Sequence, residues 1–145
     1  MEEDEFQIFE LFKRISDTLE KKANSDLQSN GITASQLKML FAVSNSEGSG
    51  KKGSLTLKEL ERRFGVAQST AAGIIKRLEA KKLVESVADE GDKRIKVVRI
   101  TDSGRKICSN ALKSMKEGHR QMLKSFTEKE KHDFKELLQR FFNNI

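Results

Sequence analysis

The sequence predicts a mainly α protein with one small β-hairpin (α+β), and three observations carry that prediction. Long segments place apolar residues at i, i+3, i+4 and i+7, the period of a helix with one buried face. Thr-x-x-Glu and Thr-x-x-Gln sets stand just ahead of such segments, and a Thr hydroxyl and an acid or amide three residues later close a helix start reciprocally. Two β-branched, alternating runs, Leu83–Val87 and Lys96–Ile100, enclose the charged stretch Asp89-Glu90-Gly91-Asp92-Lys93-Arg94, the pattern of two strands and their turn. The chain has 145 residues, 34% of them charged, with no Pro and no Trp, which suits a helix-rich protein with long exposed faces. That length is most simply one domain, 1–145.

In chain order, a first helix is expected from about Asp4 to Asn24. Phe9, Phe12, Ile15 and Leu19 form its stripe, with Phe6, Ile8 and Leu11 beside it. A stripe that wide predicts burial of more than one face. Asn30-Gly31 ends the segment, and Thr33-Ala34-Ser35-Gln36 opens a second helix with Leu37, Leu40 and Phe41 inward. Ser46 to Gly53 reads as a flexible loop, poorly ordered without a partner. Leu55 to Phe64 opens with Thr-x-x-Glu and carries Leu57, Leu60 and Phe64 on one face; Gly65-Val66 turns the chain. Gln68-Ser69-Thr70 opens the next helix, with Ala71, Ile74, Ile75 and Leu78 apolar. The two strands follow. Thr101 then caps a long helix from about Asp102 to Ser125, and Thr127 caps a last one to about Asn143. Helix, turn, helix and hairpin in that order describe a winged helix-turn-helix over 33–101, a fold that offers a helix to the DNA major groove and a hairpin tip to the minor groove.

Charge is not spread evenly. From Lys51 to Lys106 there are 15 basic and 8 acidic residues, a balance of +7, whereas the flanks hold 13 basic and 14 acidic, a balance of −1. That localisation is the electrostatic footprint of a nucleic-acid binder. The start, Met1-Glu2-Glu3-Asp4-Glu5, is too acidic for a signal or transit peptide, and no apolar run approaches the roughly 20 residues that span a bilayer. A single cysteine excludes an internal disulfide framework, and a cytoplasmic location without membrane contact is expected.

The ends carry a second message. Seven of the nine Phe residues lie outside the winged region. Phe134, Leu137, Leu138, Phe141, Phe142 and Ile145 share one face of the last helix, and Cys108, Leu112, Met115, His119, Met122 and Phe126 follow a near-heptad spacing in the long one. The small winged core leaves this apolar surface in need of a partner. Phe6, Phe9, Phe12, Phe134, Leu137, Leu138, Phe141 and Phe142 are accordingly expected in a homodimer interface, with 1–30 and 102–145 as dimerisation helices. A two-fold dimer presents two recognition helices roughly 34 Å apart.

Taken together, the flanking helices, Leu57-x-x-Leu60, Gln68-Ser69-Thr70, Lys76-Arg77-Leu78-Glu79, Asp92-Lys93-Arg94 and Ile100-Thr101-Asp102-Ser103-Gly104 resemble the MarR family of bacterial transcription regulators. The resemblance covers essentially the whole chain. It implies an obligate homodimer on a pseudo-palindromic operator, often released by a small lipophilic or phenolic ligand, or by cysteine oxidation; repression is the expected role, with activation left open. A crevice between the dimer helices and the DNA-reading lobe would take such a ligand. The chain departs from the family at three places: Ala67 where a Ser or Asp cap is usual, Gly73 in mid-helix where a longer basic residue is common, and Lys82 where Gly usually ends the helix.

Candidate DNA contacts follow. Ser69 and Thr70 suit phosphate oxygens at a helix start, and Gln68 can pair bidentately with an adenine edge. Gly73 permits a close backbone approach at a helix-propensity cost of about 1 kcal/mol. Lys76 and Arg77 lie further along, within reach of backbone or a guanine edge. Arg94 is the strongest candidate, because a guanidinium at a hairpin tip can enter a narrow, electronegative minor groove. Asp92 can accept hydrogen bonds from Arg94 and fix its direction, and Lys93 and Lys96 add phosphate attraction.

Enzymatic residues are not expected. Gly48, Gly50 and Gly53 do not make a phosphate loop, and neither Ser103 nor Cys108 has a base that the sequence places beside it. Cys108 falls on an apolar stripe, where a thiol is an inert small hydrophobe. His119 lies on the same stripe and His132 reads as exposed, so neither a metal site nor any cofactor is expected. A winged helix can also serve as a protein-interaction or assembly module without an operator, and the sequence leaves that alternative open.

Overall fold

The computed structural model describes residues 2–48 and 51–145. Its elements are α1 (Glu2–Ser29), α2 (Ala34–Ser44), β1 (Glu47–Gly48), β2 (Lys51–Lys52), β3 (Ser54–Thr56), α3 (Leu57–Phe64), α4 (Gln68–Ala80), β4 (Val84–Ala88), β5 (Lys96–Ile100), α5 (Asp102–Met122) and α6 (Glu128–Asn143). They divide into two compact units, Met1–Cys108 and Ser109–Ile145.

In the first unit the helix starts obey the chemistry written in the sequence. Thr33 accepts from the Gln36 backbone N–H at 3.2 Å while Gln36 Oε1 accepts from the Thr33 N–H, and Thr56 and Glu59 make the same reciprocal pair at 3.2 and 2.8 Å. Thr101 accepts from the Gly104 N–H at 3.1 Å and donates to the Lys82 carbonyl at 2.7 Å, which ties the start of α5 to the end of α4. α1 runs to Ser29, five residues past the expected end. It stops where left-handed Gly31 (φ +67°) lets the Ile32 N–H reach the Leu27 carbonyl.

The core is one cluster: Ile32, Met39, Leu40, Val43, Leu55, Leu60, Ala71, Ile75, Leu78, Leu83, Val84, Val98, Ile100 and Cys108. α2 is rotated from the expected face. Met39, Leu40 and Val43 are fully buried, whereas Leu37 and Phe41 only flank the cluster. A two-turn stripe of mixed apolar residues fits several rotations equally well, and packing against α4 and β5 selects one.

The hairpin exists, but within a five-stranded sheet of order β2-β1-β3-β5-β4. β4 and β5 pair antiparallel from Val84↔Ile100 to Ala88↔Lys96, and β3 pairs antiparallel with β5 from Ser54↔Arg99 to Thr56↔Val97. Leu55 and Thr56, expected to begin a helix, instead end this third strand. The expected loop Ser46–Gly53 contains β1 and β2, paired antiparallel at Glu47↔Lys52 and Gly48↔Lys51; Ser49 and Gly50 of that loop lie outside the described residues. Strands of two or three residues carry no alternation to read.

In the second unit, Thr127 and Glu130 cap α6 reciprocally at 3.2 and 2.8 Å, and the Phe126 and Phe134 rings stack at 5.9 Å. α5 ends at Met122, three residues before the expected Ser125, because the Lys124 and Phe126 N–H groups turn back to Gln121 and Leu123. Phe126 therefore lies beyond the helix whose stripe it was expected to finish.

Candidate nucleic-acid interface

α4 separates two chemistries. Ala71, Ile75 and Leu78 are buried, while Gln68, Ser69, Thr70, Lys76 and Arg77 are exposed. The spacing that buries one set forces the other outward. Ile74 is half-buried between them, as is Gly73, where an added Cβ would meet nothing within 4 Å beyond its own helix backbone. No side chain caps the start of this helix, since Ala67 has no hydrogen-bonding atom to offer. The helix ends on Lys82, the one non-glycine residue among those described with positive φ (+59°). There the Leu83 N–H donates to the Leu78 carbonyl at 3.0 Å and the Lys82 N–H to Glu79 at 2.8 Å, a termination that normally uses glycine.

The wing tip is built on two aspartates. Asp89 Oδ2 accepts from the N–H groups of Gly91 and Asp92, both at 3.0 Å, which curls the turn. Asp92 Oδ1 accepts from the Arg94 backbone N–H and from Arg94 Nε, both at 3.0 Å, and Oδ2 accepts from Nη2 at 2.9 Å. The Arg94 guanidinium holds the Asp92 carboxyl below its usual range, and the carboxylate raises the guanidinium in turn. Arg94 itself remains 90% exposed, so a bidentate clamp orients a cation that points into solvent. Lys93, Ile95 and Lys96 around it are exposed as well.

The structure thus places Gln68, Ser69, Thr70, Lys76 and Arg77 on one open helix face, and Asp92, Lys93, Arg94 and Lys96 at or beside the wing tip. Three supporting residues escaped the sequence reading. Asp89 organises the turn, and an Asp two or three residues ahead of a glycine is a signal that could have found it. Lys81 Nζ donates to Gln36 Oε1 at 2.7 Å and to the Gly31 carbonyl, joining the end of α4 to the α1–α2 corner. Arg63 Nη1 donates to Ser46 Oγ at 2.7 Å. Both partners are remote in sequence, so no local pattern marks them.

Other chemistry is sparse. Cys108 is 4% exposed, and burial pushes its thiol up against the opposing influence of Ser44 and Arg105. Among the described residues no group of three or more His, Cys, Asp or Glu could hold a metal ion, and no helix is long and apolar enough to cross a membrane. Exposed apolar side chains concentrate at the ends. Phe6, Ile8, Phe9, Leu11, Phe12, Ile15 and Leu19 are exposed on α1, Phe6 at 70%. In the second unit Phe134, Leu137, Leu138 and Phe142 are exposed, Phe142 at 68%, and Leu123, Phe134, Leu138 and Phe142 line a groove rimmed by Lys131 and Lys135.

Residues 30–95 match the MarR family. The chain is 35% identical over 88 residues, 61% of its length and 62% of the other's, to the uncharacterised HTH-type transcriptional regulator YxaD of Bacillus subtilis. The matches span about half to three fifths of the length of the first curated relatives, at 53%, 62% and 54%. Among solved structures, the YusO protein of Bacillus subtilis superposes with a TM-score of 0.84 at 21% identity, covering 96% of this chain and 94% of that one. The MepR–DNA complex of Staphylococcus aureus superposes at 0.66 and 24% identity, over 93% and 96%. At such identities the likeness is one of fold.

Proposed function

We propose, from a winged-helix lobe whose residues 30–95 belong to the MarR family, that this chain is a DNA-binding transcriptional regulator. The observation that carries the reading is the pairing of an open polar face on α4 with a guanidinium held rigid and exposed at the wing tip. The face of α4 suits a major groove: Gln68 reads a base edge, Ser69 and Thr70 hold phosphates, and Lys76 and Arg77 extend the contact. Arg94 suits a minor groove, where a cation whose direction is already fixed loses little freedom on insertion. The +7 balance over 51–106 adds the sequence-independent attraction.

The working unit in this reading is a homodimer on a pseudo-palindromic site, acting as a repressor. Its support is the large apolar surface that α1 and the second unit each keep exposed, an area that single-chain proteins rarely leave in water. A second copy covers it with the same residues, as a two-fold contact requires. The groove of Leu123, Phe134, Leu138 and Phe142 belongs to that contact. Curated relatives bear the name of transcriptional regulators, and a MepR structure of the same fold holds DNA, which supports the choice of partner.

Salt titration of duplex binding tests the reading. A regulator that neutralises several phosphates loses affinity steeply as salt rises and prefers particular sequences. A flat response, or no binding to any duplex, replaces it with a protein-interaction module.

A further inference from the structure

The helix that carries the open polar face ends at a joint. Lys81 closes α4, its N–H donating to the Arg77 carbonyl at 3.2 Å, and its Nζ donates to Gln36 Oε1 at 2.7 Å and to the Gly31 carbonyl. Both acceptors already have a task. Gln36, 5% exposed, uses the same Oε1 to accept from the Thr33 N–H and so closes the start of α2. Gly31, at φ +67°, is where the chain turns out of α1. One ammonium therefore joins the end of α4, the start of α2 and the turn after α1.

That turn is otherwise thinly held. In α1 only Leu27 is half-buried, packing on the core; every other residue of the helix is exposed. The Gly31 and Ile32 N–H groups donate to the Gln28 and Leu27 carbonyls at 3.1 and 3.2 Å, bonds within the turn that do not fix its angle to the lobe. Leu27 and Ile32 contribute apolar burial, which has no direction. The Lys81 bonds have direction, and they cross from α4 to the turn. Leverage makes this matter. From Lys81 to Gln68 α4 rises about 20 Å, so a swing of about 10° at the joint moves the Gln68 end by roughly 3.5 Å. One base step along DNA is about 3.4 Å.

We propose that Lys81 is a positioning residue: by locking α4 to the α1–α2 turn it sets the spacing at which two copies present their Gln68 ends to DNA. The inference rests on the dimeric DNA-binding reading above, with α1 in the contact between copies. Lys81 does not touch the duplex. Once one copy has engaged, the other engages at an effective concentration set by the stiffness of what joins them. A loose joint spreads the second helix over neighbouring base steps and dilutes it at the right one.

The test titrates wild type, Lys81→Met and Lys81→Arg, each shown by thermal melting to be folded, with three duplexes. These are the preferred inverted repeat, the same repeat with its halves moved one base pair apart, and a single half-site. Lys81→Met keeps the stem and removes the donor. It should bind the preferred repeat about tenfold more weakly, discriminate less against the shifted one and bind the single half-site as wild type does. Lys81→Arg, which keeps donors for both acceptors, should restore affinity and discrimination. Spin labels on Ser69→Cys, with Cys108 buried, give a readout without DNA: a narrow distance between copies that Lys81→Met broadens. Equal losses on all three duplexes, no loss on any, or an unbroadened distance overturns the positioning role and leaves the regulator reading standing. Failure of wild type to bind the repeat, or the lack of any distance between copies, overturns the dimeric regulator itself.

Discussion

Asp92 and Arg94 form a closed fork: Nε and Nη2 of one guanidinium meet Oδ1 and Oδ2 of one carboxylate at 3.0 and 2.9 Å, while the Arg94 backbone N–H donates to the same Oδ1. As a surface ion pair the fork adds little to stability. Its value is direction.

Arg94→Ala should weaken DNA binding by an order of magnitude or more and leave dimer mass unchanged. Asp92→Asn should weaken binding less, because the cation remains but is no longer aimed. Gel shifts paired with light scattering check both. Equal affinity for all three proteins at physiological salt removes the wing from the account.

The fork also fixes a pH dependence. The Asp92 pKa is lowered in the fold, so its contribution is complete above the unfolded carboxylate pKa of about 3.9 and is lost as pH falls through the lower folded value. The Arg94 Nε–H resonance should hold its shift through the range in which ordinary exposed carboxylates titrate and move only below it. In Asp92→Asn it should show no such titration. An Nε–H that titrates together with ordinary exposed carboxylates contradicts the fork.

Two glycines should answer oppositely to alanine. A Cβ on Gly104 would overlap the Leu83 carbonyl and crowd Ile100, so Gly104→Ala should cost about 1–3 kcal/mol. Gly73 has open space around it, so Gly73→Ala should add about 1 kcal/mol of stability while weakening DNA binding if the duplex backbone comes close there. Denaturant melts and gel shifts on the two variants separate these effects.

Lys82→Gly should stabilise by about 0.5–1 kcal/mol, because Lys82 holds a left-handed conformation that glycine adopts without a Cβ penalty. The carbonyl that receives Thr101 is kept. A lower melting temperature would show that the side chain of Lys82 contributes something the backbone geometry does not.

Much of this architecture was legible because its signals are local. Thr33, Thr56 and Thr127 announce helix starts through partners three residues away, and Asp92 and Arg94 are two residues apart. What was not legible depends on distance in sequence or on very short elements. The two-residue strands β1 and β2 have no period, and Lys81 meets Gln36 and Gly31 across 45 and 50 residues. The rotation of α2 that buries Met39 and Val43 is set by α4 and β5, not by α2 itself. Cys108, on an apolar stripe in the sequence, is buried within the core cluster.

The account rests on two copies of this chain reading a two-fold DNA site, and selection of bound duplexes from a random pool by the purified protein tests that most directly. It should recover an inverted repeat whose half-sites are centred about one helical turn apart, roughly 34 Å. Enrichment of a single unrepeated half-site, or of no sequence at all, would contradict it.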